Sequence, residues 1–192
     1  MLKYGWYALG ALLAFGLLLA ALPEGTVSRA GTGVTLHDVK LRLYPALEQG
    51  ANAEWHFAAA RITYDPSTGE TRVARPDRGE RLVDGKVDTT IRTQELTIDP
   101  SNNLRTITAE LYIPSQCVRV QLRGTTANPI RIDQATGFRA ERARVVYPDV
   151  VYAMRDMQAD FALKNVQAAD SSLVANLDST ETCVNGRIVP RR

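Results

Sequence analysis

VTLHDVKLRLY, residues 34–44, alternates apolar and polar side chains at period two, the pattern of a strand with one face on a core and the other on solvent. Val34 and Leu36 fall on one phase and Val39, Leu41 and Leu43 on the other, so a one-residue bulge is expected near His37 and Asp38. The same period predicts further strands at 55–64, 71–74, 81–83, 87–98, 104–113, 118–122, 130–133, 138–147 and 157–166. DPSTG at 65–69, Asp84 with Gly85, and DPSNN at 99–103 separate them with residues that reverse a chain within a few positions. Short reversals join antiparallel neighbours, so the expected fold class is all-β: an antiparallel roll of stacked hairpins. The stretch 152–166, with Met154, Met157, Phe161 and Leu163, also admits a helix.

Ahead of this lies YGWYALGALLAFGLLLAAL, residues 4–22, without a charge. About 19 helical residues rising roughly 1.5 Å each reach about 29 Å, a hydrocarbon thickness. Lys3 precedes the segment, Trp6 and Tyr7 sit near its first interface, and Pro23, Glu24 and Gly25 end it, which sets the amino terminus in the cytoplasm and exports the rest. The run exceeds the apolar core of an ordinary signal peptide, although a weak cleavage site after Ala30 exists. The organisation expected is a transmembrane anchor over 1–24, a linker over 25–33 and one extracytoplasmic domain over 34–192 with an ill-defined tail after Asn176.

A chain with 45% hydrophobic and 23% charged residues can build a core, and its net charge of +2, spread along the sequence, gives no nucleic-acid footprint. Both cysteines, Cys117 and Cys183, fall in the exported part, where an oxidising compartment allows them to pair or to remain as two buried thiols. Pairing would close a loop of about 65 residues and contribute about 4 kcal/mol in the chain-entropy model. His37 and His56 lack the spacing of metal ligands, and Ser101, Ser115, Ser171 and Ser172 have no histidine near them in the chain. No phosphate-binding glycine loop or nucleophile elbow is present, so the expectation is a protein that is not an enzyme and holds no cofactor or metal. Arg119, Arg123, Arg131, Arg139, Arg142 and Arg144 are candidates for a phosphate-binding surface, but Asp133 and Glu141 interrupt them and a solvated outer face accounts for the pattern as well.

A weak repeat runs through the strands. WHFAAARITY (55–64) lies over FRAERARVVY (138–147), and ELTIDPS (95–101) over RITYDPS (61–67). Hairpins of this kind stack edge to edge, because none buries its apolar face alone. With its single apolar segment and its alanine-led strands, AARITY (59–64) and AERARV (140–145), the chain resembles the lipopolysaccharide-export periplasmic family, LptC with its LptA/OstA-type relatives, over roughly 34–166. The charged insertion RPDRGER (75–81), the cysteines and the tail after Asn176 depart from that family. The resemblance implies an open β-jellyroll behind one inner-membrane helix, its domain in the periplasm. It implies an acylated envelope lipid as ligand, a neighbouring β-jellyroll as partner through strand-edge pairing, and an inner-membrane ABC transporter as the source of lipid. The lipid-binding interior expected on this basis is lined by Trp55, Phe57, Ile62, Tyr64, Leu96, Ile98, Ile107, Ile113, Val120, Phe138, Val145 and Tyr147. The alternatives are an anchored scaffold whose closed core binds only proteins, and an envelope hydrolase with an unmarked site.

Overall fold

The computed structural model describes residues 33–44, 53–134, 136–176 and 178–190. The anchor expected over 1–24, and the linker except Gly33, lie outside the described residues. Among the described residues no helix is long and apolar enough to cross a membrane.

The strands in chain order are β1 (Val34–Leu43), β2 (Ala53–Asp65), β3 (Glu70–Pro76), β4 (Gly79–Val83), β5 (Lys86–Arg92), β6 (Glu95–Ile98), β7 (Leu104–Thr106), β8 (Thr108–Ile113), β9 (Val118–Arg123), β10 (Ile130–Asp133), β11 (Gly137–Val146), β12 (Val150–Ala159), β13 (Val166–Gln167), β14 (Asp170–Ala175), β15 (Glu181–Val184) and β16 (Arg187–Pro190). A 3-10 turn at Pro114–Gln116 joins β8 to β9. The domain is all-β and its pairings are antiparallel, as the short reversals between strands imply, and it is consistent with a β-jellyroll-like fold.

The pairing pattern has a simple origin. β3 and β4 lie along successive parts of β2, β6 and β5 along β3 and β4, β7 and β8 along β6 and β5, and β10 and β9 along β7 and β8. β11 then receives both β10 and β9, and β12 receives β13 and β14. Each couple of short strands is therefore one long strand with a break in it. The main sheet is an up-and-down meander whose outermost members are β1 at one edge and β13 with β14 at the other.

The breaks line up. On β2 the buried residues Trp55, Phe57 and Ala59 give way to Ile62; on β11 Phe138 and Ala140 give way to Ala143 and Val145; from β7 to β8 Leu104 and Thr106 give way to Ala109 and Leu111. Shifting phase by one residue turns every later side chain to the other face. Because neighbouring strands shift at the same level, the sheet folds along a crease and both halves turn their apolar faces toward one core. Asp38, Arg75 and Asp156, with φ of 52°, 48° and 49°, take left-handed backbone on this line. The phase break expected in β1 is present at His37 and Asp38, but no residue is inserted: Asp38 and Ala60 leave the ladder together, and the pairing is in step on both sides, from Val34 with Tyr64 to Leu43 with Trp55. A shared kink replaces the bulge.

Two other expectations change. The last long strand is Val150–Ala159, not 157–166, and 152–159 is strand, not helix. The 55–64 and 138–147 segments are both creased strands, yet they are not structural copies: the half of β2 before its break pairs with β4, whereas in β11 the half after the break occupies that side of the crease, on β9.

Candidate functional site

Directly opposed residues of an antiparallel sheet share a face, so the registers trace the interior from edge to edge. In one half a row starts at Val34 and Tyr64, passes through Thr71, Ile98, Leu104, Ile132 and Phe138, and ends at Ala159 and Val166. In the other a row runs from Gly79 and Ile91 through Leu111, Val120 and Val145 to Tyr152 and Leu173. Their middle members are sealed, Leu104, Leu111, Val120 and Ile132 having no exposure at all. Three of their four ends are open, Val34 being 55% exposed with Tyr64 at 42%, Val166 38% and Leu173 55%, whereas the second row's start at Gly79 and Ile91 is buried.

Of the twelve residues expected to line the interior, Trp55, Phe57, Ile62, Leu96, Ile98, Ile113, Val120, Phe138 and Val145 are buried in one apolar cluster. Tyr147 packs half-buried at its margin, edge-on to Tyr152 at 6.0 Å, and burial raises its hydroxyl pKa, with the Tyr152 hydroxyl adding to the shift. Tyr64 and Ile107 are not part of the sealed core. Tyr64 has the inward phase but lies where β2 nears its hairpin, beside exposed Val34 at the open end of its row. Ile107 stands in the break between β7 and β8, where the phase change turns it out on the convex side.

Phe161 keeps the inward phase of Met157 and Ala159, but beyond the end of β12. It follows β12 in the turn 160–165, which Asp160 folds by accepting the Lys164 N–H at 2.9 Å and the Asn165 side-chain amide at 2.7 Å. Phe161 thereby enters the interior, 6.1 Å from the rings of both Trp55 and Phe138. Above it lies the Arg81 guanidinium, 4.0 Å from the ring centroid and ion-paired with Asp88. Arg81 is opposite Trp55 in the ladder and shares its inward face, so the charged insertion delivers a buried cation to an apolar chamber. Trp55 Nε1 and Arg81 Nε are buried there without a hydrogen-bond partner among the described residues. Across the mouth facing the crease, Gln116 Nε2 donates to the Ala162 carbonyl at 2.8 Å, and Asn102 Nδ2 to the Tyr44 carbonyl at 3.3 Å.

Outside the core, Cys117 and Cys183 are joined by a disulfide that ties the separate β15–β16 hairpin to the end of the 3-10 turn. The hairpin and the outer face of β5, β8 and β9 enclose a recess of about 460 Å³ that includes Arg78, Arg92, Arg119, Glu110 and Glu181. His37 is exposed; His56 Nε2 lies 3.1 Å from a Glu54 oxygen, and this contact lowers the Glu54 pKa. Among the described residues no group of histidine, cysteine and carboxylate side chains could hold a metal ion. The chain matches no protein-family model and no curated protein.

Proposed function

We propose that this protein is an envelope lipid carrier: held at the inner membrane by the segment 4–22, it takes an acylated glycolipid of lipopolysaccharide type into the creased interior and passes it to a neighbouring β-jellyroll, without covalent chemistry. The observation that carries the reading is the interior row that is sealed in its middle, at Leu104 and Ile132, and exposed at both sheet edges, at Val34 with Tyr64 and at Val166. Past Tyr64 and Thr71 an acyl chain entering at that edge meets hydrocarbon from Ile98 to Val166, each buried methylene contributing about 0.8 kcal/mol. Trp55 Nε1 and Arg81 Nε are donors that a polar lipid head at the mouth would satisfy. Among the described residues nothing pairs with the outer edges of β1 and β14, which offer backbone for strand addition, by which grooves of adjacent molecules would align. The lipid would be supplied by an ABC transporter in the same membrane.

The packed interior favours a second reading, an anchored scaffold with a closed core that binds proteins by its strand edges. A photo-crosslinking residue at Trp55 or Phe138 in envelope-resident full chain separates the two. The carrier predicts lipid capture at both positions, none at outward Arg119, and loss of capture with Val145→Arg, which puts a charge in the chain's path at a large desolvation cost. Capture of protein alone, at the edges, would leave the scaffold.

A further inference from the structure

Arg123, Arg142 and Arg155 stand directly opposite one another on β9, β11 and β12. All three are exposed, and no ion pair to any of them occurs among the described residues. Their strand neighbours Leu122, Ala143 and Met154 face the interior, so the guanidinium row lies on the outer, convex surface, beside the crease marked by Asp156. Like charges directly opposed across a sheet repel, and a sheet gains nothing internally from three in a row. With strands about 4.8 Å apart the row extends about 10 Å. Across the crease Arg131 and Arg139 are again directly opposed, next to Arg105, which pairs with Glu70.

We infer that this row is a docking face for anionic phospholipid headgroups at a bilayer surface. Guanidinium binds phosphate bidentately, and a row of three fixed forks matches an array of phosphates better than a single small anion. A lipid held inside the fold cannot reach it, because the sheet itself intervenes; the anions come from outside. On the reading proposed above the chain is already tethered to a bilayer by 4–22, which puts such a surface at hand, but the row's chemistry does not depend on what the interior carries. Asp170 stands directly opposite Arg155 and closes the row at β14, while Glu141, which accepts from the Thr125 hydroxyl at 3.3 Å, and Asp156 flank it along their strands, so the positive field is confined to the three arginines.

The test uses full chain in nanodiscs of phosphatidylcholine alone or with added phosphatidylglycerol, labelled with phenylglyoxal and read by peptide mass spectrometry. Arg123, Arg142 and Arg155 should react severalfold more slowly in the anionic discs, the protection should vanish in high salt, and Arg187 on β16 should react equally in both. Equal rates at the row in both discs would overturn the inference. Equal protection by free inorganic phosphate in phosphatidylcholine discs would also overturn it, leaving a site for small anions. As a second measurement, the triple substitution R123Q/R142Q/R155Q should melt no lower than the parent, since it relieves repulsion; a clear loss of stability would make the arginines structural and sink the proposal. Loss of lipid capture at Trp55, the test of the carrier, moves neither readout.

Discussion

Single side chains decide whether the two halves of the sheet can close. Gly79 is buried on β4, and a Cβ there would stand 2.3 Å from Phe57 and 2.7 Å from Ile91, so the absent side chain is what lets an aromatic ring lie flat on the strand. Gly79→Ala should cost about 1–3 kcal/mol through overpacking, read as a lowered urea midpoint with unchanged slope. A neutral result would mean that Phe57 does not occupy this position. Phe161 poses the opposite problem. Phe161→Ala removes a buried ring and should cost about 3 kcal/mol or more, while opening apolar space between Trp55 and Phe138. A fluorescent fatty acid should then bind the variant more tightly than the parent; equal binding would show that Phe161 is filler and does not block the ligand's path.

Between residues and fold, the elements show what alternation can and cannot convey. The strand 118–122 and most hairpins were legible because buried and exposed residues alternate strictly between Asp, Asn, Pro and Gly turns. The phase break at Asp38 was legible too, but its cause was not: a bulge and a kink shared with Ala60 look alike in one strand, and only the register tells them apart. Ile107 was misplaced for the same reason, since an unbroken strand over 104–113 would hide the crease in its middle. Phe161 is inward in phase with Met157 and Ala159, but an Asx-capped turn, not the expected strand, carries it there. Asp156 tests the crease directly. Asp156→Val forces a β-branched residue into left-handed backbone and should destabilise by about 1–3 kcal/mol, whereas Asp156→Gly should be neutral or stabilising. Equal effects of the two would remove the backbone argument. The β15–β16 hairpin, a sheet of two strands, is too small to be stable alone and depends on its link to the turn before β9. Spanning 66 residues, the Cys117–Cys183 bond contributes about 4 kcal/mol in the entropy model. Reduction should expose the amides of β15 and β16 to exchange while β9 and β11 keep their protection; unchanged exchange in the hairpin would show that packing, not the bond, holds it.

At the scale of the molecule, the carrier proposed above requires a filled interior to admit a lipid. A creased meander has one continuous hinge line and a mouth opposite it, so the halves can part without breaking a ladder. Besides the apolar core packed between the halves, the mouth is held by polar contacts that are few: the Gln116 and Asn102 side chains on carbonyls of the facing half, and the Arg81 stack on Phe161. Each neutral hydrogen bond contributes only about 0.5–1.5 kcal/mol. The double substitution N102A/Q116A should therefore lower the melting temperature by a few degrees, speed exchange in the turns at 99–103 and 160–165, and leave exchange in β9 and β11 unchanged. If loading is gated by this mouth, lipid capture by a photo-crosslinker at Trp55 must rise in the variant, since the competent open state becomes more populated. A variant that opens by exchange yet captures no more lipid would place entry at the sheet edges, through Val34 and Tyr64 or through Leu173. A variant that opens and captures none at any interior position would exclude the carrier and leave an anchored scaffold whose strand edges are its working surface.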